Sequence, residues 1–283
     1  MRTLIVIPAR HGSTRLPGKP LLRLNGRSLL ERVVRIAAQA GAAAGAAHLV
    51  ATDSEEILDH CRAIGVDAVM TAPQLASGTD RALAALEASG QEADFIINLQ
   101  GDAPFTPPHH VAALIEAAGA QDGDLFTPVI ALSWPALDEL RAHKQKAPFS
   151  GTTCLRSADG RAYWFSKTIV PAIRGEADLR RQSGLSPVFR HIGLYGYRLD
   201  ALKRFAALPP GHYERLEGLE QLRFLENGMS VRAVEVAPPR LSMSGIDTPA
   251  DLELAEKLIA RHGDPFDAPA SGEGGDGGEG GAP

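Results

Sequence analysis

The feature that most restricts how this chain can fold is an alternation, over its first half, of short apolar runs with segments of helical periodicity. The runs at 2–8, 48–52, 66–70 and 94–99 are strand-length and rich in Val, Ile, Leu and Ala. Between them, 28–40 carries Leu29, Leu30, Val33, Val34 and Ala37 on one face. Ser54 stands at the cap of the next helix, 79–89 is rich in Ala and Leu, and 107–118 begins with Pro in its first turn. Strands separated by helices imply an α/β fold, a mostly parallel sheet flanked by helices, with ligands beyond the carboxyl ends of the strands. The pattern changes after about residue 140. The stretch 143–165 is broken by Lys, Pro, Gly and Ser, and reads as a small antiparallel subregion covering one side of the site. A strand at 190–198, a helix at 214–226 and a helix at 248–260 capped by Thr248 complete the reading.

Composition sets outer limits. With 283 residues, 44% of them hydrophobic, the chain can bury a substantial core. From Gly263 onward it consists mainly of Gly, Ala, Pro and acids, so 1–262 reads as the folded domain and 263–283 as a disordered acidic tail. Five of the 34 acidic residues lie in 264–283, which has no Lys or Arg, leaving 29 acids against 29 bases in 1–263. A formally neutral body argues against a general nucleic-acid surface. No apolar run reaches the roughly 20 residues of a membrane helix, and the N-terminal run is too short for a signal peptide. The expectation is a soluble, cytoplasmic protein without a membrane partner. Cys61 and Cys154 are too few for a disulfide framework or zinc cluster and read as ordinary thiols.

The most informative segment is Pro8-Ala-Arg-His-Gly-Ser-Thr-Arg-Leu-Pro-Gly-Lys-Pro20, directly after the first strand. It sets Arg10, Arg15 and Lys19 in a loop whose Gly12 and Gly18 let backbone N–H groups approach an anion. The spacing is not that of a Walker A loop, and Pro20 stands where that motif needs Ser or Thr. No GxGxxG follows this strand, which argues against a dinucleotide. Asp102 follows Gly101 just past the fourth strand and is placed to hold Mg²⁺ against phosphate oxygens, although a lone Asp in a turn is more often a cap. Asp247 has the competing role of capping the last helix. Ser77-Gly-Thr-Asp-Arg81 opens a helix whose free N–H groups suit a polar ligand, or whose Thr79 is a plain cap. On 190–198, His191, Gly193, Tyr195 and Tyr197 fall on one face. In the 214–226 helix, Leu216, Leu219 and Leu222 should face the core, with Glu220 and Gln221 elsewhere. No nucleophile elbow or evident Cys–His pair points to covalent chemistry.

The run Ile7-Pro-Ala-Arg-His-Gly-Ser-Thr-Arg-Leu-Pro-Gly-Lys-Pro-Leu21 resembles the opening of the 3-deoxy-manno-octulosonate (Kdo) cytidylyltransferases, and the resemblance continues to about residue 260. It implies a nucleotide-diphospho-sugar transferase fold. It also implies transfer of CMP from CTP to a 3-deoxy sugar acid with release of pyrophosphate, a Mg²⁺ cofactor and a homodimer. Carried over by position, Ala9, Arg10, Gly12, Ser13, Lys19, Ser77, Gly78 and Thr79 would bind nucleotide, with Arg10, Arg15, Lys19 and Asp102 catalytic. Asp102 and Asp247 would hold the metal. Arg81, Gln100, Lys167, His191, Tyr195, Glu220 and Gln221 would face the sugar. Two positions depart from the pattern: Ala103 stands where the family usually has Glu, and Lys167 where it has Arg. These departures keep open a modified Kdo, such as an 8-amino analogue, or another 3-deoxy-2-ulosonic acid. Readings from other classes are a nucleotide-sugar glycosyltransferase and a non-catalytic nucleotide-binding regulator.

Overall fold

The structure, a computed structural model, describes residues 1–12, 16–75, 77–241, 243 and 245–266. In chain order it runs β1 (Thr3–Ala9), a 3-10 turn (Lys19–Leu21), the hairpin β2 (Arg23–Leu24) and β3 (Arg27–Ser28), α1 (Leu29–Ala44), β4 (Ala47–Thr52), α2 (Glu55–Ala63), β5 (Ala68–Met70), α3 (Gly78–Ser89), β6 (Phe95–Asn98) and α4 (Pro108–Ala120). The second half holds β7 (Leu125–Ser133), α5 (Trp134–Lys146), β8 (Thr153–Arg156), β9 (Ala162–Ser166), α6 (Glu176–Gln182), β10 (Leu185–His191), β11 (Tyr195–Arg198), α7 (Leu199–Ala206), α8 (His212–Glu217), α9 (Leu222–Glu226), β12 (Val231–Glu235) and α10 (Pro249–His262).

β1 is buried at every position, which is why it reads as an unbroken apolar run rather than an alternation. It pairs in parallel with β4 and β6, and β4 pairs in parallel with β5. The large sheet has the order β5-β4-β1-β6-β11-β7-β10-β8-β9, with β12 parallel to β7. Its far side is antiparallel, through β7, β10, β8 and β9. The antiparallel subregion expected from the sequence is therefore a continuation of the main sheet. Two apolar layers cover the sheet's faces. Ile5, Ile7, Val33, Ala37, Leu114 and Phe126 belong to one, and Leu4, Val6, Ala82, Leu202, Leu222 and Phe224 to the other. Because the parallel strands share a direction, β1, β4 and β6 end on one edge, and the phosphate loop, Asp53 and Asp102 follow those ends.

Several local expectations are corrected. The helix expected at 214–226 is two short helices, broken where Gly218 takes φ +63°. The break turns Leu216 outward, 69% exposed, while Leu219 and Leu222 stay buried. The strand expected at 190–198 is the end of β10 and all of β11, with 192–194 between them. Both run antiparallel along β7, and β11 bridges β7 to β6. Helix α5 continues to Lys146, past the point where extended structure was expected. Ser54 occupies a cap position but makes no side-chain cap bond. Ser77, not Thr79, caps α3, in a reciprocal pair with Asp80. Thr248 caps α10 as expected.

The chain also remains packed past 262. Asp264, read as tail, pairs with the buried Arg32 at 2.6 Å, and Phe266 lies 4.3 Å from the Arg35 guanidinium. Residues 267–283 lie outside the described residues, as do Ser13 and Arg15 of the phosphate loop. Among the described residues, no helix is long and apolar enough to cross a membrane. Both cysteines are free and buried, and burial pushes their thiols up to about 11 for Cys61 and about 12 for Cys154.

Candidate active site

Two adjoining cavities lie beyond the strand ends. The first, about 350 Å³, is lined by the loop residues Ala9, Arg10, Gly12 and Lys19, by Gly78 at the start of α3, and by Gln100, Gly101, Asp102 and Asp247. Gly101 is required there: a Cβ on it would meet the Pro8 carbonyl oxygen at 2.5 Å, so only glycine lets the loop after β6 press against the end of β1. Asp247 is brought across the chain by a backbone bond in which the Ile246 N–H donates to the Asp102 carbonyl at 2.9 Å. The two carboxylates then converge on one cation. Lys19 Nζ donates to Asp102 Oδ2 at 2.5 Å and to Asp247 Oδ1 at 2.9 Å. Burial alone would lower the Lys19 pKa, but Asp102 and Asp247 outweigh it and hold the ammonium charged.

This donor set suits Mg²⁺. Two carboxylates reaching a single point, beside a cavity that Arg10 and the backbone at Gly12 make suitable for an anion, are the hard oxygen ligands that ion takes alongside substrate phosphates. Among the described residues no group of three or more His, Cys, Asp or Glu could hold a metal, so any ion here shares its coordination with substrate and water.

The second cavity, about 470 Å³, has Ala103, the residue after Asp102, in its lining. Lys167, His191, Tyr195, Glu220 and Gln221 line it, together with Arg190, Thr152 and His110, which the sequence reading had not singled out. Its polar groups are fixed by neighbours. Thr127 gives its one hydroxyl hydrogen to the Leu194 carbonyl at 2.8 Å, so His191 Nε2, 2.8 Å from the same oxygen, must be the donor. That leaves His191 Nδ1 as an acceptor. Burial, with Lys167 nearby, pushes His191 down to about 3, which favours the neutral ring. The Tyr195 hydroxyl donates to Gln221 Oε1 at 3.3 Å, and burial first, then Glu220, raises its pKa. Among the described residues, the Gln221 Nε2 and His110 Nδ1 atoms are buried without a hydrogen-bond partner. Glu220 accepts from the Thr79 hydroxyl, and its pKa is raised, chiefly by burial. The Lys167 backbone N–H is held by Glu217 at 2.7 Å.

Four residues expected at a ligand lie elsewhere. Ser77 lines neither cavity, its hydroxyl being held by Asp80 at 2.9 Å in the cap of α3. Gln100 lines the phosphate cavity rather than the sugar cavity. Thr79 is buried and lines neither cavity, its hydroxyl being engaged with Glu220 and, at 3.2 Å, with Tyr197. Arg81 lines neither cavity. It is fully buried behind the phosphate loop, with Nη1 on Thr71 at 2.5 Å and Nη2 on Asp53 at 3.1 Å. Asp53 accepts the His11 backbone N–H at 3.2 Å, so Asp53 links Arg81 to the phosphate loop. The sequence signal for Asp53 was its place just beyond β4, the same edge that yielded Asp102.

A glycine-shaped cationic loop, paired carboxylates and an adjoining polar cavity, all at one edge of a helix-flanked sheet, define a nucleotidyltransferase. A family model described as cytidylyltransferase matches residues 4–231. A 3-deoxy-manno-octulosonate cytidylyltransferase of Maricaulis maris is 42% identical over 266 residues, 93% of this chain and 99% of that protein. One from a Chelativorans species is 40% identical, covering 92% and 98%. The solved structure of CMP:2-keto-3-deoxy-manno-octonic acid synthetase complexed with CTP superposes with a TM-score of 0.78 at 34% identity, covering 92% of this chain and 99% of that one. A cytidylyltransferase structure from Leptospira borgpetersenii, 17% identical with a TM-score of 0.56, shares the fold. The chain belongs to the cytidylyltransferase family, among the 3-deoxy-manno-octulosonate cytidylyltransferases.

Proposed function

We propose that this enzyme transfers CMP from CTP to the anomeric 2-hydroxyl of 3-deoxy-manno-octulosonate and releases pyrophosphate. The observation that carries the reading is adjacency: Lys19, Asp102 and Asp247 meet at one point, and Ala103, the residue after Asp102, lines the polar cavity. Arg10, Lys19 and the backbone around Gly12 bind the phosphates. Mg²⁺ on Asp102 and Asp247, when bound, offsets phosphate charge and polarises the α-phosphoryl group. Lys167 supplies a point charge for the sugar carboxylate, and His191, Glu220 and Gln221 supply donors and acceptors for hydroxyls. The sugar oxygen bonds to the α-phosphorus as the bond to the departing pyrophosphate breaks. The protein contributes position and fixed charge, with no covalent intermediate.

The same proposal places the enzyme in the cytoplasm as a homodimer. Sedimentation measures the oligomeric state. Ala103 in the sugar cavity, where relatives usually carry Glu, favours one second reading, a sugar acid with a changed group. The deciding assay supplies CTP, ATP, GTP or UTP with Mg²⁺ and either Kdo or its 8-amino analogue. Pyrophosphate with CTP and Kdo supports the proposal. Faster turnover of the analogue selects the second reading, and no pyrophosphate with any pair, from folded protein, defeats both.

A further inference from the structure

We propose that Lys19 and the divalent cation compete for the same two carboxylates, so that the metal enters with the nucleotide rather than ahead of it. This rests on the reading of Asp102 and Asp247 as metal ligands. The Lys19 ammonium stands between them, 2.5 Å from Asp102 Oδ2 and 2.9 Å from Asp247 Oδ1, and its side chain is only 13% exposed. Its backbone is set in the 3-10 turn Lys19–Leu21, backed by the buried Pro20. The turn is fixed, but the four-carbon stem lets the ammonium move by a few ångströms about that base. Arg10 and Gly12 line the same cavity, so the place to which the ammonium can move is where a triphosphate would lie.

The consequence is an exchange of partners. Without phosphate, Lys19 neutralises one of the two carboxylate charges and blocks the point on which both converge, which holds metal affinity down. A triphosphate offers the ammonium a more highly charged partner in the same cavity. As Lys19 turns to it, Asp102 and Asp247 become available to the cation that arrives with the nucleotide. Lys19 thereby couples metal and nucleotide binding, and by linkage each should strengthen the other.

Mn²⁺ binding, followed by calorimetry or by the loss of the free-ion paramagnetic resonance signal, tests this without turnover. In the wild-type full chain, Mn²⁺ alone should bind weakly and much more tightly with CTP present. Lys19→Met keeps the apolar stem and removes the charge. It should tighten binding of Mn²⁺ alone on the order of tenfold, and it should weaken CTP binding measured in EDTA. Adding Asp102→Asn to Lys19→Met should abolish the gain. Lys19→Gln is the second variant, should the Met form melt well below wild type. If both variants, folded, bind Mn²⁺ alone no more tightly than wild type, the competition is refuted. A separate arm protects the distinction: if Asp102→Asn in the wild-type background leaves Mn²⁺ affinity in the presence of CTP unchanged, the metal-ligand reading itself fails, whatever Lys19 does.

Discussion

Replacing Arg81 by Met separates two roles that the sequence alone could not. The side chain is fully buried, and it donates to Asp53 and Thr71 from the carboxyl ends of β4 and β5. Removing one partner of a buried ion pair typically costs about 3–5 kcal/mol, because the remaining charge is left uncompensated. Asp53 keeps the His11 N–H, and its side chain is 11% exposed, so the low end applies, roughly 3 kcal/mol. For a domain of this size each kcal/mol shifts the melting temperature by about 2–4 °C, giving a fall of roughly 6–12 °C. Asp53, left without its cation, should also draw away from His11 toward water. The KM for CTP should therefore rise several-fold while the KM for the sugar acid hardly moves. Thermal melts of wild type, Arg81→Met, Asp53→Asn and the double variant, with both KM values, make the assay. The double variant should melt well above the sum of the single losses, as expected for two ends of one interaction. An Arg81→Met protein that melts with wild type and loses only sugar affinity would refute the reasoning and return Arg81 to the sugar.

Three further outcomes follow from the geometry. Gly101→Ala puts a Cβ 2.5 Å from the Pro8 carbonyl; overpacking of this kind costs about 1–3 kcal/mol, and because it displaces Asp102 the fall in kcat should exceed what the melt alone would suggest. Burial would raise the Asp264 pKa, but hydrogen bonds from Arg32, Asn25 and the Phe266 backbone hold it at about 2. A lowered carboxyl stabilises above its unfolded value near ~3.9 and loses that contribution as pH falls toward the folded one. The melting difference between wild type and Asp264→Asn should therefore be full at pH 6 and shrink below pH 4. Cys61 and Cys154, both buried and with raised pKa values, should resist Ellman's reagent in the native protein and react promptly in guanidinium.

What was legible in the sequence was local. Arg10, Gly12 and Lys19 announce an anion site because their chemistry lies within one loop after one strand, whereas Asp102, in a glycine turn after another, is a metal-ligand candidate that the resemblance strengthens. Asp247 was not readable in this way. Its place beside Asp102 is made by a bond from the Ile246 N–H to a carbonyl 144 positions earlier, a pairing that no spacing rule supplies and only resemblance suggested. β7, central to the far half of the sheet, carries Pro128, a residue that argues against a central strand, and was not read as one. Arg81 was expected at the sugar only because the resemblance carries it there by position. Its actual partners sit on the ends of two other strands, so only the assembled sheet turns it inward. Leu216 fits the apolar stripe of one long helix, but a left-handed Gly218 ends that helix two residues later and the register is lost. Asp264 was judged with the acidic, glycine-rich stretch that follows it, and its counter-charge on α1 lies 232 positions away.

The central claim is that the cationic loop and the two distant aspartates form one pocket for a metal-bound triphosphate. Diffraction from crystals grown with CTP and Mn²⁺, recorded where manganese scatters anomalously, tests it most directly. The account predicts an anomalous peak within coordination distance of both Asp102 and Asp247, with phosphate density beside Arg10 and Lys19. Nucleotide bound elsewhere, or manganese bound away from both carboxylates, would contradict it.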